Sequence, residues 1–550
     1  MHPFFNKFIE KPILLLLAIN ILIGLFVFRD YGYSWDEPLF YDYGDALGYA
    51  YSPQAWLSGH FDINNSYGSS GDDHKTRGPA YLLLAREPVY LLRASGLDKA
   101  SAWHLINFLF FQVGVYFLYR LALRWLKPSA ALAASALFSW QPLLWGHAFI
   151  NPKDSPFLVF FLASVCLGFE MVDQLADSIK GNGGNYSAVL FPAVLLGLTT
   201  SIRILGPFAG LLVLMYGVFR LGNRIVSFLP HFVFYGIMAL LTMFVTWPYL
   251  WEDPIARFLD VTRFMSDNPT NLSVLFGGHV YRAGELPRRY APFVLATTLT
   301  EPVWPLCLTG ILVGYWKSIK QQNEGQASLR DGSSDETWES LRSSLDTVTI
   351  RNNLVSLTLV LLWFATLVAY VLIRKPSMYD GLRHFLFILP PIFIFIGFTF
   401  QVLFEYVHSS WLRAGLILLF MIPGVLGILS LHPYEYTYYN SLVGGTSGAF
   451  RSYETDYWLT CYKDTMQQLN QSIDRPANVF VHREAYIAAY YANPNVRVQD
   501  LRGALNDVRP GDFILVNTRT NEDRKVFKDA PIVMQIARGD AIFCLVRQIP

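Results

Sequence analysis

Asp36 and Glu37 stand side by side in the stretch Tyr33-Ser34-Trp35-Asp36-Glu37-Pro38, just beyond the first apolar run, Ile13 to Phe28. An apolar run ending in such a stretch reads as a membrane span emerging into water. A carboxylate at that boundary is partly desolvated, which raises its pKa and makes it a better proton acceptor. The aromatic residues around the pair suit the interfacial belt, where amphipathic rings settle. The plain alternative is a polar loop start that holds the first span at the surface.

More charged residues group on the face expected to carry Asp36. Asp72-Asp73-His74-Lys75-Thr76-Arg77-Gly78-Pro79 follows in the same long loop. His147-Ala148-Phe149-Ile150-Asn151-Pro152-Lys153-Asp154 forms a short charged corner, and Arg203, Arg282, Arg374, Lys375 and Arg383 fall on the same side. Paired acids, a second acid at Asp154 and several cations suit the transfer of a sugar from a lipid phosphate. One carboxylate would deprotonate an acceptor hydroxyl, which attacks the anomeric carbon. Cations would hold the departing phosphate, whose negative charge grows as the glycosidic bond breaks. Taken singly, each of these charges could merely end a helix.

The elements that must position these residues are membrane spans. The chain has 550 residues, 53% hydrophobic and only 15% charged, with a mean hydropathy of +0.30. A soluble protein would carry about a quarter charged residues. Sixteen per cent aromatic, with 14 Trp, fits two interfacial girdles. A net charge of +1 without a basic face argues against nucleic acid.

Lys7 and Lys11 precede the first span, and Arg29-Asp30-Tyr31 is a poor cleavage site, so the span is read as uncleaved, its N-terminus cytoplasmic. Residues 30–100 are the first outer loop, with a surface-lying helix over Ala80 to Leu92. Further spans are expected at Trp103 to Tyr119, Ser129 to Leu144 and Phe157 to Met171. Ala188 to Tyr216 divides into two near Arg203; His231 to Tyr249, Phe293 to Tyr315, Leu354 to Ile373, Phe385 to Phe400 and Leu412 to Leu431 complete about eleven. Residues 317–352 read as a solvated cytoplasmic linker. Basic residues after spans two and six obey the positive-inside rule; summed over all loops the bias disappears, and long loops escape that rule.

The expected fold is therefore mainly α: a polytopic bundle over 1–431, followed by a small α/β domain over 432–550 outside the membrane. Short alternations at Val479 to His482, Val496 to Val498, Phe513 to Val516, Ile532 to Ile536 and Ile542 to Val546 predict its strands, with Arg538-Gly539-Asp540 as a hairpin turn. No Gly-rich phosphate loop or nucleophile elbow occurs there. Cys166 and Cys307 sit in apolar runs; Cys461 and Cys544 could pair if the C-terminal region is exported.

The acidic pair in the first outer loop resembles that of the GT-C glycosyltransferases, specifically the family 39 group. That group includes protein O-mannosyltransferases and the aminoarabinose transferases that modify lipid A. Trp247-Pro-Tyr-Leu-Trp-Glu-Asp-Pro, Phe276-Gly-Gly-His, Tyr290-Ala-Pro, Gly381-Leu-Arg-His-Phe-Leu-Phe and His432-Pro-Tyr-Glu-Tyr-Thr-Tyr-Tyr-Asn-Ser-Leu-Val-Gly-Gly are similar to stretches of bacterial members. The resemblance implies Asp36 as the catalytic acid with Glu37 its partner. It implies Lys75, or Arg77 in its stead, on the donor phosphate, because the family's Glu-Lys-Pro is here His74-Lys75-Thr76-Arg77-Gly78-Pro79. Asp154 matches the second outer-loop acid, and Arg383 is a further phosphate contact. The implied partners are a polyprenyl-phosphate sugar donor and a lipid, glycan or protein acceptor, at the inner (plasma) membrane. A divalent metal stays open, since some members use one and this sequence has no decisive ligand set. A transporter or flippase of lipid-linked sugars is the competing class, kept alive by Arg203 inside an apolar stretch.

Overall fold

The computed structural model describes residues 12–178, 186–267, 271–331 and 338–550. Eleven of its helices answer to the expected spans: Pro12–Val27, Lys99–Ala122, Pro128–Ser139, Asp154–Asp177, Ser187–Ile202, Pro207–Leu221, Ile225–Val245, Val303–Asp331, Trp338–Arg374, Pro390–Tyr406 and Ser410–Leu431. By length and composition, five described stretches could cross a membrane: Lys99–Ala122, Asp154–Asp177, Pro207–Val245, Asn353–Arg374 and Ser410–Leu431. The third of these is two helices, divided at Gly222, whose φ of +55° an L side chain rarely adopts. The build is that of a multi-pass membrane protein.

Burial separates the inner helices from the outer ones. The apolar window of Asp154–Asp177 is 94% buried, against 28–39% for Pro207–Val245, Asn353–Arg374 and Ser410–Leu431. The outer helices leave rows such as Ile237, Leu240 and Leu241, or Leu418, Leu426 and Leu429, uncovered. Helices apolar on their uncovered faces suit lipid, where each helix satisfies its own backbone groups.

Two spans differ from expectation. The third breaks after Ser139 and resumes as Pro142–Ile150. The eighth is a short helix, Tyr290–Thr297, followed by Val303–Asp331. Pro142 and Pro302 cannot donate to a continuing helix. The two breaks satisfy one another: the Gln141 amide donates to Thr300 Oγ1 and accepts from the Thr300 N–H, both at 3.0 Å. The expected linker at 317–352 is corrected where it is described, because helices Val303–Asp331 and Trp338–Arg374 run into it from both sides. The segment contains no proline to interrupt either helix; residues 332–337 lie outside the described residues.

In the loop after Ile225–Val245, strands β1 (Ser273–Phe276) and β2 (His279–Arg282) form a hairpin around Gly277 and Gly278, both at positive φ. The C-terminal sheet contains β3 (Ala477–Val481), β4 (Val496–Asp500), β5 (Phe513–Asn517), β6 (Ile532–Arg538) and β7 (Ala541–Gln548), ordered β4-β3-β5-β7-β6. β3 runs parallel to β4 and β5, while β7 is antiparallel to β5 and β6. The five expected strands and the turn at Gly539 (φ +54°) are all present. Cys461, just before helix Tyr462–Ser472, is disulfide-bonded to Cys544 on β7, with a Cα–Cα distance of 5.9 Å. Closing a loop across 83 residues stabilises a fold by about 4–5 kcal/mol in the chain-entropy account.

Candidate active site

Asp36 occupies the N-cap position of helix Glu37–Ala46, yet its side chain makes no capping bond. An aspartate there ordinarily accepts a backbone N–H of the first turn. Asp36 has helical backbone angles instead, which turn its carboxylate out of the helix. Oδ2 meets Arg383 Nη1 at 2.5 Å, and 22% of the side chain stays exposed. Glu37 goes the other way and is fully buried. Its Oε2 accepts from the Ser34 N–H at 2.6 Å, and its Oε1 from Tyr41 OH at 2.6 Å and from His104 Nε2 at 2.9 Å. Tyr41 stacks on Trp103 and also accepts from Asn107. The bundle thus engages both Glu37 oxygens.

Cations from four segments gather around Asp36. Arg77 and Lys153 each lie over the Phe40 ring, at 5.8 and 5.7 Å. Gly78 lets the Arg77 loop touch the end of helix Ser187–Ile202, because a Cβ there would overlap the Ser201 carbonyl. Arg203 caps that helix and is ion-paired with Asp154. Asp154 is placed by Asn151, whose Oδ1 accepts the Asp154 N–H at 2.8 Å and the Lys153 N–H at 3.1 Å. Arg203, on which the transporter reading leaned, therefore sits at a turn between helices with a carboxylate partner. Lys75 shares the Arg77 loop, and its carbonyl accepts the Trp247 indole N–H at 3.2 Å.

The expectation of a raised Asp36 pKa is corrected. Burial pushes it up, but Arg383 and then Arg77 pull harder, and the carboxyl ends below its ordinary value. Of Lys75 and Arg77, Arg77 exerts the larger pull. Burial and then the charges of Arg77 and Arg203 push Lys153 well down, and burial with Arg77 pushes His74 down to about 4. By residue count, Arg77, Lys153, Arg203 and Arg383 outnumber Asp36 and Asp154 here. Among the described residues, the buried Nε atoms of Arg77, Arg203 and Arg383 meet no acceptor, an arrangement suited to an anion.

Arg383 is also the first rung of a buried ladder of alternating charge. Its Nη2 meets Asp380 Oδ2 at 2.9 Å. Asp380 Oδ1 meets Arg519 Nη2 at 2.6 Å, and Arg519 Nε meets Glu454 Oε1 at 3.0 Å. The Trp458 indole donates to Asp380 Oδ2 at 3.2 Å, and Arg383 lies 5.0 Å from the ring centres of both Trp458 and Tyr379. Of this set, sequence reasoning found only Arg383. Asp380 directly precedes the Gly381-Leu-Arg-His stretch, a signal that could have been used; Glu454 and Arg519 had none.

Beside Arg383 lies an apolar cavity of about 350 Å³ between helices Tyr290–Thr297, Val303–Asp331 and Trp338–Arg374. Leu382 and Phe385, on either side of Arg383 in the chain, line it together with Leu295, Trp304, Phe364 and Val368.

Among the described residues, one trio of metal-ligand types converges: Asp456, Cys461 and Cys544, within 4.8 Å of one another. It does not fit a metal. The two sulfurs are bonded to each other, leaving no thiolate, and Asp456 already accepts from Tyr436 OH and from the N–H groups of Thr460 and Cys461. At Asp36 and Asp154 a divalent cation would meet two paired carboxylates in a surplus of positive charge.

No family model matches the chain's sequence, and no curated protein matches it either. Among solved structures, it is similar to ArnT from Cupriavidus metallidurans bound to undecaprenyl phosphate (13% identity, 97% of each chain, TM-score 0.42). It is also similar to the archaeal oligosaccharyltransferase AglB from Archaeoglobus fulgidus, in complex with an inhibitory peptide and a dolichol-phosphate (11% identity, 94% of this chain and 70% of that one, TM-score 0.47). A third is the arabinofuranosyltransferase AftD from mycobacteria (12% identity, 97% of this chain and 40% of that one, TM-score 0.38).

Proposed function

We propose that the chain is a membrane glycosyltransferase that moves a sugar from a polyprenyl-phosphate-linked donor to an acceptor hydroxyl, with Asp36 as the base. The observation that carries this reading is one juxtaposition. A carboxylate that keeps 22% of its side chain exposed sits among Arg77, Lys153, Arg203 and Arg383, and an apolar cavity begins at the residues flanking Arg383. A prenyl chain suits that cavity and a phosphate suits Arg383.

In this reading Asp36 takes the acceptor's hydroxyl proton. The acceptor oxygen attacks the anomeric carbon, and the carbon–oxygen bond to phosphate breaks, its electron pair leaving with the polyprenyl phosphate. Arg383, Arg77 and Lys75 offset the charge that gathers there. The arriving phosphate competes for Arg383. As that arginine turns toward the donor, Asp36 loses its strongest cation and becomes a better base. Glu37 holds the helix start, and Asp154 holds Arg203 in place.

The cleft belongs on the outer face, with the N-terminus cytoplasmic and 432–550 an extracytoplasmic α/β domain. The Cys461–Cys544 disulfide supports this placement, since disulfides persist in oxidising compartments. A cysteine at the exposed Asn506, probed with a membrane-impermeant thiol reagent on intact cells, tests it.

The reaction is tested with the purified full chain, polyprenyl-phosphate-linked pentoses and hexoses, and acceptor lipids, glycans or peptides. Release of polyprenyl phosphate that depends on acceptor and on Asp36 is expected. Movement of intact donor across a vesicle, without its consumption, would instead mark a flippase.

A further inference from the structure

We infer that Arg519, carried by the C-terminal sheet, is a positioning residue for the transfer site: through Asp380 it sets where Arg383 stands between Asp36 and the donor phosphate. The inference rests on the function proposed above and assigns the C-terminal sheet a part in it.

The geometry is continuous. Arg519 follows β5, and its backbone N–H donates to Asn517 Oδ1 at 2.6 Å, while Asn517 Nδ2 donates to the Asp456 carbonyl at 3.2 Å. Asn517 lies opposite Cys544 in the β5–β7 ladder, and Cys544 is bonded to Cys461. The Arg519 backbone is therefore pinned from two sides. Its side chain is 1% exposed, and the guanidinium lies 4.5 Å from the ring centre of Trp35, the residue before Asp36. The Trp35 N–H donates to the Trp458 carbonyl at 3.2 Å, and the Trp458 indole binds Asp380. One bonded circuit thus joins the C-terminal sheet, the acid loop and the Asp380–Arg383 corner.

Asp380 is the hinge of this circuit. It is fully buried at φ +57°, a strained value for an aspartate, and Gly381 follows at φ +64°. Each of its oxygens faces an arginine: Oδ1 faces Arg519, and Oδ2 faces Arg383. A buried carboxylate flanked by two cations divides its pull between them. Without Arg519, Asp380 would turn its whole charge on Arg383 and draw that guanidinium away from Asp36. A contact that only docked the sheet would need no such link to Asp36.

The test uses the full chain in detergent, reading turnover of a polyprenyl-phosphate-linked sugar against pH and, separately, binding of undecaprenyl phosphate. The charged and titratable groups facing Asp36 are Arg77 and His74 from its own loop, Lys153 and Arg203 from the two helix corners, Arg383 and Asp380 from the corner opposite, and Tyr486 from the C-terminal region. None of these residues is replaced in the single variants at Arg519, and the double variant replaces only Asp380. Arg519→Met is expected to lower kcat at least 30-fold and weaken undecaprenyl phosphate binding several-fold. The acidic limb of kcat/KM should move to higher pH as Asp36 loses Arg383. Arg519→Met/Asp380→Asn, which removes both charges of the pair, should recover at least a third of the lost kcat. Arg519→Lys should fall between wild type and Arg519→Met, and it decides the matter if Arg519→Met does not fold. An acidic limb that stays put in the folded variants, or a double variant no better than the single, would overturn the inference and leave the transfer reading intact. A wild-type chain that neither binds undecaprenyl phosphate nor turns over any donor would overturn both.

Discussion

The cleft that receives Asp36 and the pocket that receives Glu37 are one peptide bond apart, and they treat a carboxylate in opposite ways. Glu37 enters the bundle, where Ser34, Tyr41 and His104 donate to it and solvent does not reach. Asp36 faces a gathering of cations, keeps part of its surface open and leaves its own helix uncapped. The difference teaches that adjacency in sequence is a poor guide to shared chemistry. A carboxylate with every donor fixed organises the fold, whereas one paired in the cleft with Arg383 is, in the transfer reading proposed above, the one that takes the proton.

Asp36→Asn is the strongest way to break the comparison. It keeps shape and most hydrogen bonding, so turnover should drop by about 10²–10⁴ while undecaprenyl phosphate binding and thermal stability change little. Wild-type turnover in a folded Asp36→Asn protein would reduce the cleft to an interfacial anchor.

Arg383→Ala and Arg77→Ala come next. Each removes a charge-assisted contact worth about 1.5–3 kcal/mol, so KM for the lipid donor should rise roughly tenfold or more. Arg383→Ala should also raise the Asp36 pKa and carry the acidic limb of the rate profile upward, because the cation that most depresses it is gone. Kinetics unchanged in both variants would make these cations structural.

Glu37→Gln should act on the other side of the divide. An amide cannot accept from three donors as the carboxylate does, so stability should fall by about 1–3 kcal/mol, read as a lower Tm. Turnover at a permissive temperature should fall less than tenfold. If Glu37→Gln proves the more damaging to turnover and Asp36→Asn the more damaging to Tm, the two roles are exchanged.

The smallest kinetic effect is expected at Glu454, a third carboxylate at the far end of the ladder. Burial raises its pKa from 4.5 to about 7, against the pull of Arg519 and with the help of Asp380. A carboxyl raised in the folded state contributes stability below its unfolded pKa and loses it as pH rises through the folded one. Between pH 4.5 and about 7 this component of stability should therefore decline in the wild type and be missing from Glu454→Gln. Denaturant titrations across that interval measure it, and parallel curves for the two proteins would count against the assignment.

Much of the fold was legible because its signals are local. Apolar runs gave the helices, and Arg203 with Pro207 marked the division between Ser187–Ile202 and Pro207–Leu221. Strand alternation gave all five C-terminal strands. The breaks at Trp140-Gln141 and before Pro302 stayed hidden, since each is satisfied by the other from about 160 residues away. At the site, Asp36, Glu37, Lys75, Arg77, Asp154 and Arg383 could be named from residue type, position and resemblance, but not their grouping. Asp36 meets Arg383 across 347 residues and Asp380 meets Arg519 across 139. No periodicity reports such pairings. The direction of the Asp36 shift was missed for the same reason, as burial was foreseeable and the nearby guanidinium was not.

The position of Arg519 along the chain gives the site a timetable. Every described span helix and every other rung of the charge ladder precedes it in the chain. At roughly 5–20 residues per second, a ribosome reaches Arg519 on the order of ten seconds after Arg383. During that interval Asp380 has Arg383 to itself, and the acid loop lacks the guanidinium that lies over Trp35. The final settling of Arg519 then waits on β7, which brings Cys544 to Cys461. A nascent or truncated chain in the bilayer would thus hold Asp36 and Arg383 in an unfinished arrangement. On the inference above, the arrangement around Asp36 is complete only once β7 has paired with β5.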